Sequence, residues 1–440
     1  MTLEPHGRAA EGLRARQRAR ELTPEAPDVN SAYLFALNTS NATLEEIADE
    51  HRRWGSEFVR ITGGAPTPHD HVKDPARRLR VGYVSADLRE HAVAFFMAPI
   101  LAHHDASVVE VYCYVNQHRS DHTSSQLRRY AHHWTSLSDS SDEAAAERIG
   151  NDGIDILVDL SGYTAGGRLG VFARQAAPIQ VTYLGYPNTT GLPTMQYRIT
   201  DRWADPPGRT EHLHSELLLR LPHSFLCYAP PSDSPAVAER SSAERGAVTF
   251  GSFNRGRKLS ESTISLWSRI LVALPEARIL LKPGPIDRAE LRDRFARQGV
   301  AADRIDLLDY SPGIPGHLDA YRAVDIALDS FPYNGTTTTC EALWMGVPVI
   351  TLAGPDHRSR VGASLLRNVG LPEFIAESGD AYVECAQQLA QDAQRLRTLR
   401  ASLRERMLRS ALMDGKRFTQ DLEAAYRTIW TEWCSETGRR

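Results

Sequence analysis

RVGYVSA, residues 80–86, is the stretch from which the fold can be read. Val81, Tyr83 and Val84 make it a short apolar run that ends in a polar loop, the pattern of a strand buried on both faces. Three more such runs follow: VVEVYCYV at 108–115, IDILVDL at 154–160 and IQVTYL at 179–184. Helix-length stretches, including 95–104 and 142–149, lie between them. Strand, helix and strand at this spacing predict βαβ units and a parallel sheet. At 228–246 the alternation breaks. YAPPSDSPAVAERSSAERG is dominated by Pro, Ser and Ala and shows no period, as at a boundary between domains. The alternation then resumes, with strands expected at 248–253, 278–282, 305–308, 326–329 and 347–352, and helices at 260–274, 341–345 and 362–369. Two α/β lobes are therefore expected.

Outward from these lobes, the first 29 residues are rich in Arg, Glu, Ala and Pro and lack the apolar core of a signal peptide. A charged helix is expected at 13–22, and 31–60 reads as helical. Residues 63–75, with three prolines and two glycines, read as a linker. The expected division is a helical N-terminal segment and linker at 1–75, a first Rossmann-like lobe at 76–235, a second at 245–385, and C-terminal helices at 386–440 that return to the first lobe. Near the C-terminus Arg397, Arg400 and Arg404 recur at three and four residues, widened by Arg395, Arg406 and Arg409. A solvated helix face is the plain reading, contact with lipid or a polyanion the alternative.

Composition excludes more than it identifies. A formal charge of −4, from 51 basic and 55 acidic residues, argues against a nucleic-acid binder. The five cysteines contain no CxxC pair and suit a reducing compartment. No run of 18 apolar residues suggests a membrane span, so a cytoplasmic location is the default expectation. Neither GxGxxG nor GxxxxGK[ST] occurs, against a classical dinucleotide dehydrogenase or a P-loop NTPase. No HExxH or spaced His/Asp cluster points to a metal.

The richest chemistry lies in FPYNGTTTTCEALWMGVPVITL, 331–352. Asn334 and Gly335 form a turn pair, threonines follow, and an apolar helix runs on from Cys340. Any of the threonines can cap that helix. Its first N–H groups and positive dipole end suit a phosphate. Gly335 and Thr336 belong to this turn, Thr337 and Thr338 add two hydroxyl donors, and Glu341, one turn in, can accept both hydroxyls of a ribose. A plainly capped helix with solvated threonines is the alternative. Lys258 lies in GSFNRGRKL, 251–259, just after a strand, with Asn254, Arg255 and Arg257 beside it. This loop either meets a diphosphate, Lys as a point charge and Arg as a fork, or is merely solvated. His91 follows the 80–86 strand through a loop, a suitable address because sites of parallel sheets lie at the carboxyl ends of strands. Other histidines compete with it. Asp152 and Asp159 flank the strand within 154–160, and Gly162, Gly166 and Gly167 mark the loop after it.

Taken together, RLRVGYVSADLREH (78–91), DGIDILVDLSGYTAG (152–166), APIQVTYLGYPNTTGLP (177–193), VTFGSFNRGRKL (248–259), the block 325–352 and SRVGASLL (359–366) resemble the catalytic region of the O-GlcNAc transferase family, glycosyltransferase family 41. Several of them look closer to its SPINDLY branch of protein O-fucosyltransferases. The resemblance implies a GT-B fold with the active site in the cleft between two Rossmann-like lobes. It also implies an inverting, metal-independent reaction without a cofactor, in which a Ser or Thr hydroxyl of a protein or peptide attacks a nucleotide sugar. UDP-GlcNAc is the first expectation, with GDP-fucose and UDP-glucose as rivals. By resemblance His91 is the active-site histidine and a candidate general base. Lys258 is the lysine on the donor diphosphate, and Thr337 and Thr338 contact phosphate. Glu341 takes the place of a ribose-binding acid, His317 packs on the base, and Asp152 falls near an acid proposed to relay the proton.

Arg255 departs from the pattern, standing where O-GlcNAc enzymes have Gln or Asn. Family members also carry a tetratricopeptide superhelix for the acceptor. Here 1–75 precedes the first lobe, so the acceptor is expected to be held by this segment, the lobe surfaces, an adaptor or an oligomer. A non-catalytic nucleotide-sugar binding protein and a nucleotide-sugar epimerase are the readings of other classes. Having both His91 and Lys258 favours a transferase.

Overall fold

The structure, a computed structural model, describes residues 9–64, 69–238, 246–309 and 313–435. The middle of the linker expected at 63–75 and the end of the boundary stretch at 228–246 lie outside the described residues. The chain forms two units. The first comprises Arg16–Leu37, Ala42–Ala229 and Asp414–Arg440, the second Pro230–Met413 with two short N-terminal stretches.

The chain begins with α1 (Ala9–Leu22), α2 (Pro27–Leu37) and α3 (Leu44–Ile61). A reciprocal cap starts α3: Thr43 Oγ1 accepts from Glu46 N–H, and the Glu46 carboxylate accepts from Thr43 N–H. There follow β1 (Leu79–Ser85), α4 (Ala92–His103), β2 (Val109–Val115), α5 (His122–Leu127), β3 (His133–Ser136), α6 (Asp142–Asn151), β4 (Ile156–Asp159), α7 (Leu169–Ala173), β5 (Ile179–Thr182), β6 (Tyr197–Asp201) and β7 (Leu217–Leu221). The seven strands pair in parallel in the order β3-β2-β1-β4-β5-β6-β7.

The second unit repeats the plan with β8 (Thr249–Ser252), α8 (Glu261–Ala273), β9 (Arg278–Leu281), α9 (Arg288–Ala296), β10 (Ile305–Leu307), α10 (Ile314–Asp319), β11 (Ile326–Leu328), α11 (Thr337–Trp344), β12 (Val349–Leu352), α12 (Val361–Val369), β13 (Ile375–Ala376), α13 (Gly379–Gln391) and α14 (Ala393–Leu408). Its order is β10-β9-β8-β11-β12-β13, again all parallel. Both sheets thus reverse direction at one place, between β1 and β4 in the first and between β8 and β11 in the second. Sheets of this kind bind ligands outside the carboxyl ends of the strands at that reversal.

The interior strands β4 and β5 are buried at every position, as their continuous apolar runs predict. Strands β3, β6, β7 and β13 were not anticipated. HWTS is short and mostly polar, and YRITD buries Arg198, Thr200 and Asp201, so neither reads as an apolar run; LLLRL does read as one, though it leaves Leu217 exposed.

Two expectations at the C-terminus need correction. Residues 386–440 do not move as a block: α14 stays in the second unit and only α15 (Gly415–Ser435) joins the first. There α15 packs on α4, and the Glu423 carboxylate binds His104 Nδ1 (2.8 Å) and accepts from Asp105 N–H (2.9 Å). Nor are the α14 arginines one solvated face. Arg400 is 4 % exposed and donates to the Val324 carbonyl, while Arg404 lies over the Trp344 ring and donates to the Trp344 carbonyl, capping the end of α11.

Helix α3 meets the loop of PNTTGLP backbone to backbone. Gly191 has φ +71°, and a Cβ there would drive into the His51 carbonyl oxygen. Glu216 fixes the same loop, accepting from Thr189 Oγ1 (2.6 Å) and Thr190 N–H (2.7 Å). Gly191→Ala should destabilise the first unit by about 3 kcal/mol, since the left-handed backbone alone costs roughly 1–2 kcal/mol and the clash adds to it. Calorimetric melting checks this; an unchanged transition would show that α3 can lift from the loop.

Candidate active site

In the second unit the reversal point lies between the loops after β8 and β11. Asn254, buried at the end of β8, turns inward: its Oδ1 accepts from Thr338 Oγ1 (3.0 Å) and its Nδ2 donates to Ser252 Oγ (3.3 Å). Arg255 is exposed, its guanidinium beside Gly284. A 3₁₀ turn, Gly256–Lys258, then carries Lys258 toward the β11 loop. Its Nζ donates to the Asn334 carbonyl (2.6 Å) and stands 3.9 Å from the centre of the Tyr333 ring. Burial pulls this ammonium down to about 7, against the opposing influence of Asp329. Burial likewise pushes Asp329 up to about 6, although it accepts from Gly335 N–H (2.6 Å), Thr351 Oγ1 (2.8 Å) and Ser330 N–H (2.9 Å).

Helix α11 starts earlier than expected. Thr336 is its N-cap without a side-chain capping bond, and Thr337 to Thr339 already form its first turn. Thr338 aims its proton at Asn254, and Thr339 Oγ1 donates to the Gly335 carbonyl (3.3 Å), so Thr336 and Thr337 are the hydroxyl donors left half-exposed. Gly335 has no room for a side chain, because a Cβ would crowd Thr339 Oγ1 and Asn254 Oδ1. One turn on, Glu341 is 7 % exposed. Its Oε2 meets His317 Nε2 (3.0 Å), whose Nδ1 lies 2.8 Å from Lys282 Nζ. An ammonium can only donate, so Nδ1 accepts and the ring proton sits on Nε2, facing Glu341. Tyr321 and Phe253 wall the histidine, with ring centres 6.0 and 5.8 Å away.

In the first unit the equivalent point lies between the loops after β1 and β4. His91 is the N-cap of α4. Its Nδ1 accepts from Val93 N–H (3.3 Å) and lies 3.6 Å from Asp87 Oδ2, and the side chain is 41 % exposed. Asp121, the cap of α5, also accepts from Glu90 N–H (2.7 Å) and so anchors the residue before His91. Asp159 is buried and pins the loop after β4 through Ser161 and Gly162 N–H (both 3.0 Å). Asp152 is not brought to His91. It precedes β4, at the amino end of the sheet, with its Oδ2 accepting from Tyr114 OH (2.7 Å). The length of β4, roughly 10 Å, separates the two ends, which is too far for a short water relay.

The profile of glycosyl transferase family 41 matches residues 24–229 and 234–422. The chain belongs to glycosyl transferase family 41. Within the family it is 41% identical over 423 residues to a Petunia hybrida protein named probable UDP-N-acetylglucosamine–peptide N-acetylglucosaminyltransferase SPINDLY, covering 94% of this chain and 45% of that one. It is 33% identical over 372 residues to Arabidopsis thaliana SEC, of similar name, covering 82% of this chain and 38% of that one. The chain thus spans about half the length, or less, of these curated relatives. A mutant of Thermobaculum terrenum O-GlcNAc transferase has the same fold, with TM-score 0.93 and 36% identity over 98% of this chain and 83% of that one. The two Rossmann-like units are those of the GT-B architecture, as expected.

Lys258 and Glu341 stand out in the sequence by their own chemistry and His317 by the family 41 resemblance, and the structure gathers the three around one strand reversal. Four further residues gain a role only in the structure: Lys282 and Tyr333 in the second unit, Asp87 and Asp121 in the first. Lys282, Tyr333 and Asp87 lie beside His317, Lys258 and His91, and Asp121 anchors the residue before His91. Asp87, inside the quoted VSADLREH four residues before His91, was the one most open to detection.

Proposed function

We propose that this chain is an inverting, metal-independent transferase that moves a sugar from a nucleoside diphosphate to a Ser or Thr hydroxyl of a protein or peptide, with UDP-GlcNAc as first choice of donor. The reading rests on one observation. A half-buried lysine, whose neighbours among the described residues are a carbonyl and an aromatic face rather than a contacting carboxylate, stands beside the first turn of α11. The N–H groups of that turn and the Lys258 charge would share a diphosphate. Glu341 would take the ribose hydroxyls and His317 would flank the base. His91 would act on the acceptor hydroxyl. The names of the relatives support the donor class, and Arg255 keeps GDP-fucose and UDP-glucose in contention.

Calorimetry with UDP and GDP is the test. Binding of at least one is expected, and their ratio identifies the base. Binding of neither at millimolar concentration overturns the reading.

A further inference from the structure

We propose that Tyr333 is a positioning residue for Lys258: its ring face and the Asn334 carbonyl together hold the ammonium in place without neutralising it. This rests on the reading of Lys258 as the diphosphate lysine.

The argument starts from what a half-buried ammonium needs. Away from water it must find electron density, and the usual partner is a carboxylate. Asp329 is the nearby acid, but Gly335 and Ser330 N–H occupy its Oδ1 and the Thr351 hydroxyl its Oδ2, against which Gly362 also packs. Lys258 instead meets an uncharged oxygen at 2.6 Å and a ring centre at 3.9 Å, well inside cation–π range. A carboxylate in contact would compete with an incoming diphosphate for the same charge. A carbonyl and a ring orient the ammonium and leave its net charge available. The charged groups around the pair are Asp329, Arg257 and Arg358. Arg257 opposes a further cation at Lys258, which adds to the need for the ring, while Arg358, beside Tyr333, is paired with Asp356.

The test compares Tyr333→Phe, which keeps the face, with Tyr333→Leu, which removes it. Calorimetry reads binding of UDP and GDP against UMP and GMP from pH 6 to 9. Competitive acetylation with mass spectrometry reads the titration midpoint of Lys258 without any ligand. In Y333L diphosphate affinity should fall roughly five- to tenfold at pH 7, within the range of a desolvated cation–π contact. Monophosphate affinity should hold, and the midpoint should move to lower pH, because the charged form has lost a partner. Y333F should match the wild type in all three, with melting curves confirming that both variants fold. A Y333L protein with an unmoved midpoint and unchanged diphosphate affinity overturns the inference, and so does equal loss in Y333F. A wild type that binds neither diphosphate overturns the underlying reading instead, while the acetylation midpoints still decide whether Tyr333 holds the ammonium.

Discussion

Lys258→Ala should lower turnover by roughly 10²-fold or more while donor affinity falls far less. Negative charge builds on the β-phosphate as the glycosidic bond breaks. On the proposed metal-free route only protein N–H groups and cations can meet it. The first turn of α11 offers partial charges, fixed in place; Arg404 caps the far end of the same helix. Lys258 offers a full one, and a contact that strengthens as the bond fails lowers the barrier more than it improves ground-state binding. The pH dependence has a definite sign. Burial holds the free ammonium down to about 7, so it loses its charge as pH rises through that value. In the wild type kcat/KM should therefore decline above neutrality. The decline in kcat should lie at higher pH, because the bound diphosphate favours the charged form. Both declines should be missing from the residual activity of K258A. Single-turnover transfer from labelled donor, with donor Kd measured separately, checks this, and unchanged chemistry in K258A would remove Lys258 from the diphosphate.

The parts of this molecule that could be read in advance are those in which one chemical property dominates a run of residues. β11 is apolar throughout, β1 and β4 are apolar but for Arg80, Ser85 and Asp159, and β8 lies in the run VTFGSF, so the existence of these strands follows from the letters, whereas the order that creates a reversal in each sheet does not. β6 defeats that logic, because Arg198 lies buried with its guanidinium on the Asn188 and Tyr186 carbonyls, and polarity in sequence looks like exposure until such partners are known. Arg400 and Arg404 fail for the same reason: helical spacing shows that they share a face, but not that carbonyl oxygens are waiting there. Asp152 shows a different limit. It precedes its strand, which in a parallel sheet already sets it at the amino end, so its role was suggested by resemblance against what the order of the chain implies. Lys282 closes the apolar run of β9 and acquires meaning only through His317, 35 residues away in sequence.

His91→Ala should reduce transfer by roughly 10²–10⁴-fold if the imidazole takes the hydroxyl proton, and clearly less if it only orients the sugar. The local geometry sharpens this choice. With Nδ1 accepting from Val93 N–H, the ring proton sits on Nε2, and that tautomer caps α4 but cannot take a proton at Nε2. To serve as base there, His91 must carry its proton on Nδ1 and turn it to Asp87 Oδ2, now 3.6 Å away, giving up the capping bond. The imidazolium formed on proton transfer would then stand at the positive end of α4, which disfavours it, beside the Asp87 carboxylate, which favours it. Asp87 is thus required for a basic His91 and dispensable for one that merely orients the sugar. In the base case Asp87→Asn should lower kcat in the same direction as H91A but by less, and the acidic limb of kcat/KM should move to lower pH, because the protonated ring has lost its carboxylate. The same limb should vanish in H91A. Rates across a pH series spanning the histidine range, measured on wild type, H91A and D87N, separate the cases. An intact acidic limb in an active H91A would assign the base to another group. Asp152, at the far end of the sheet and hydrogen-bonded to Tyr114, is not placed to be its replacement.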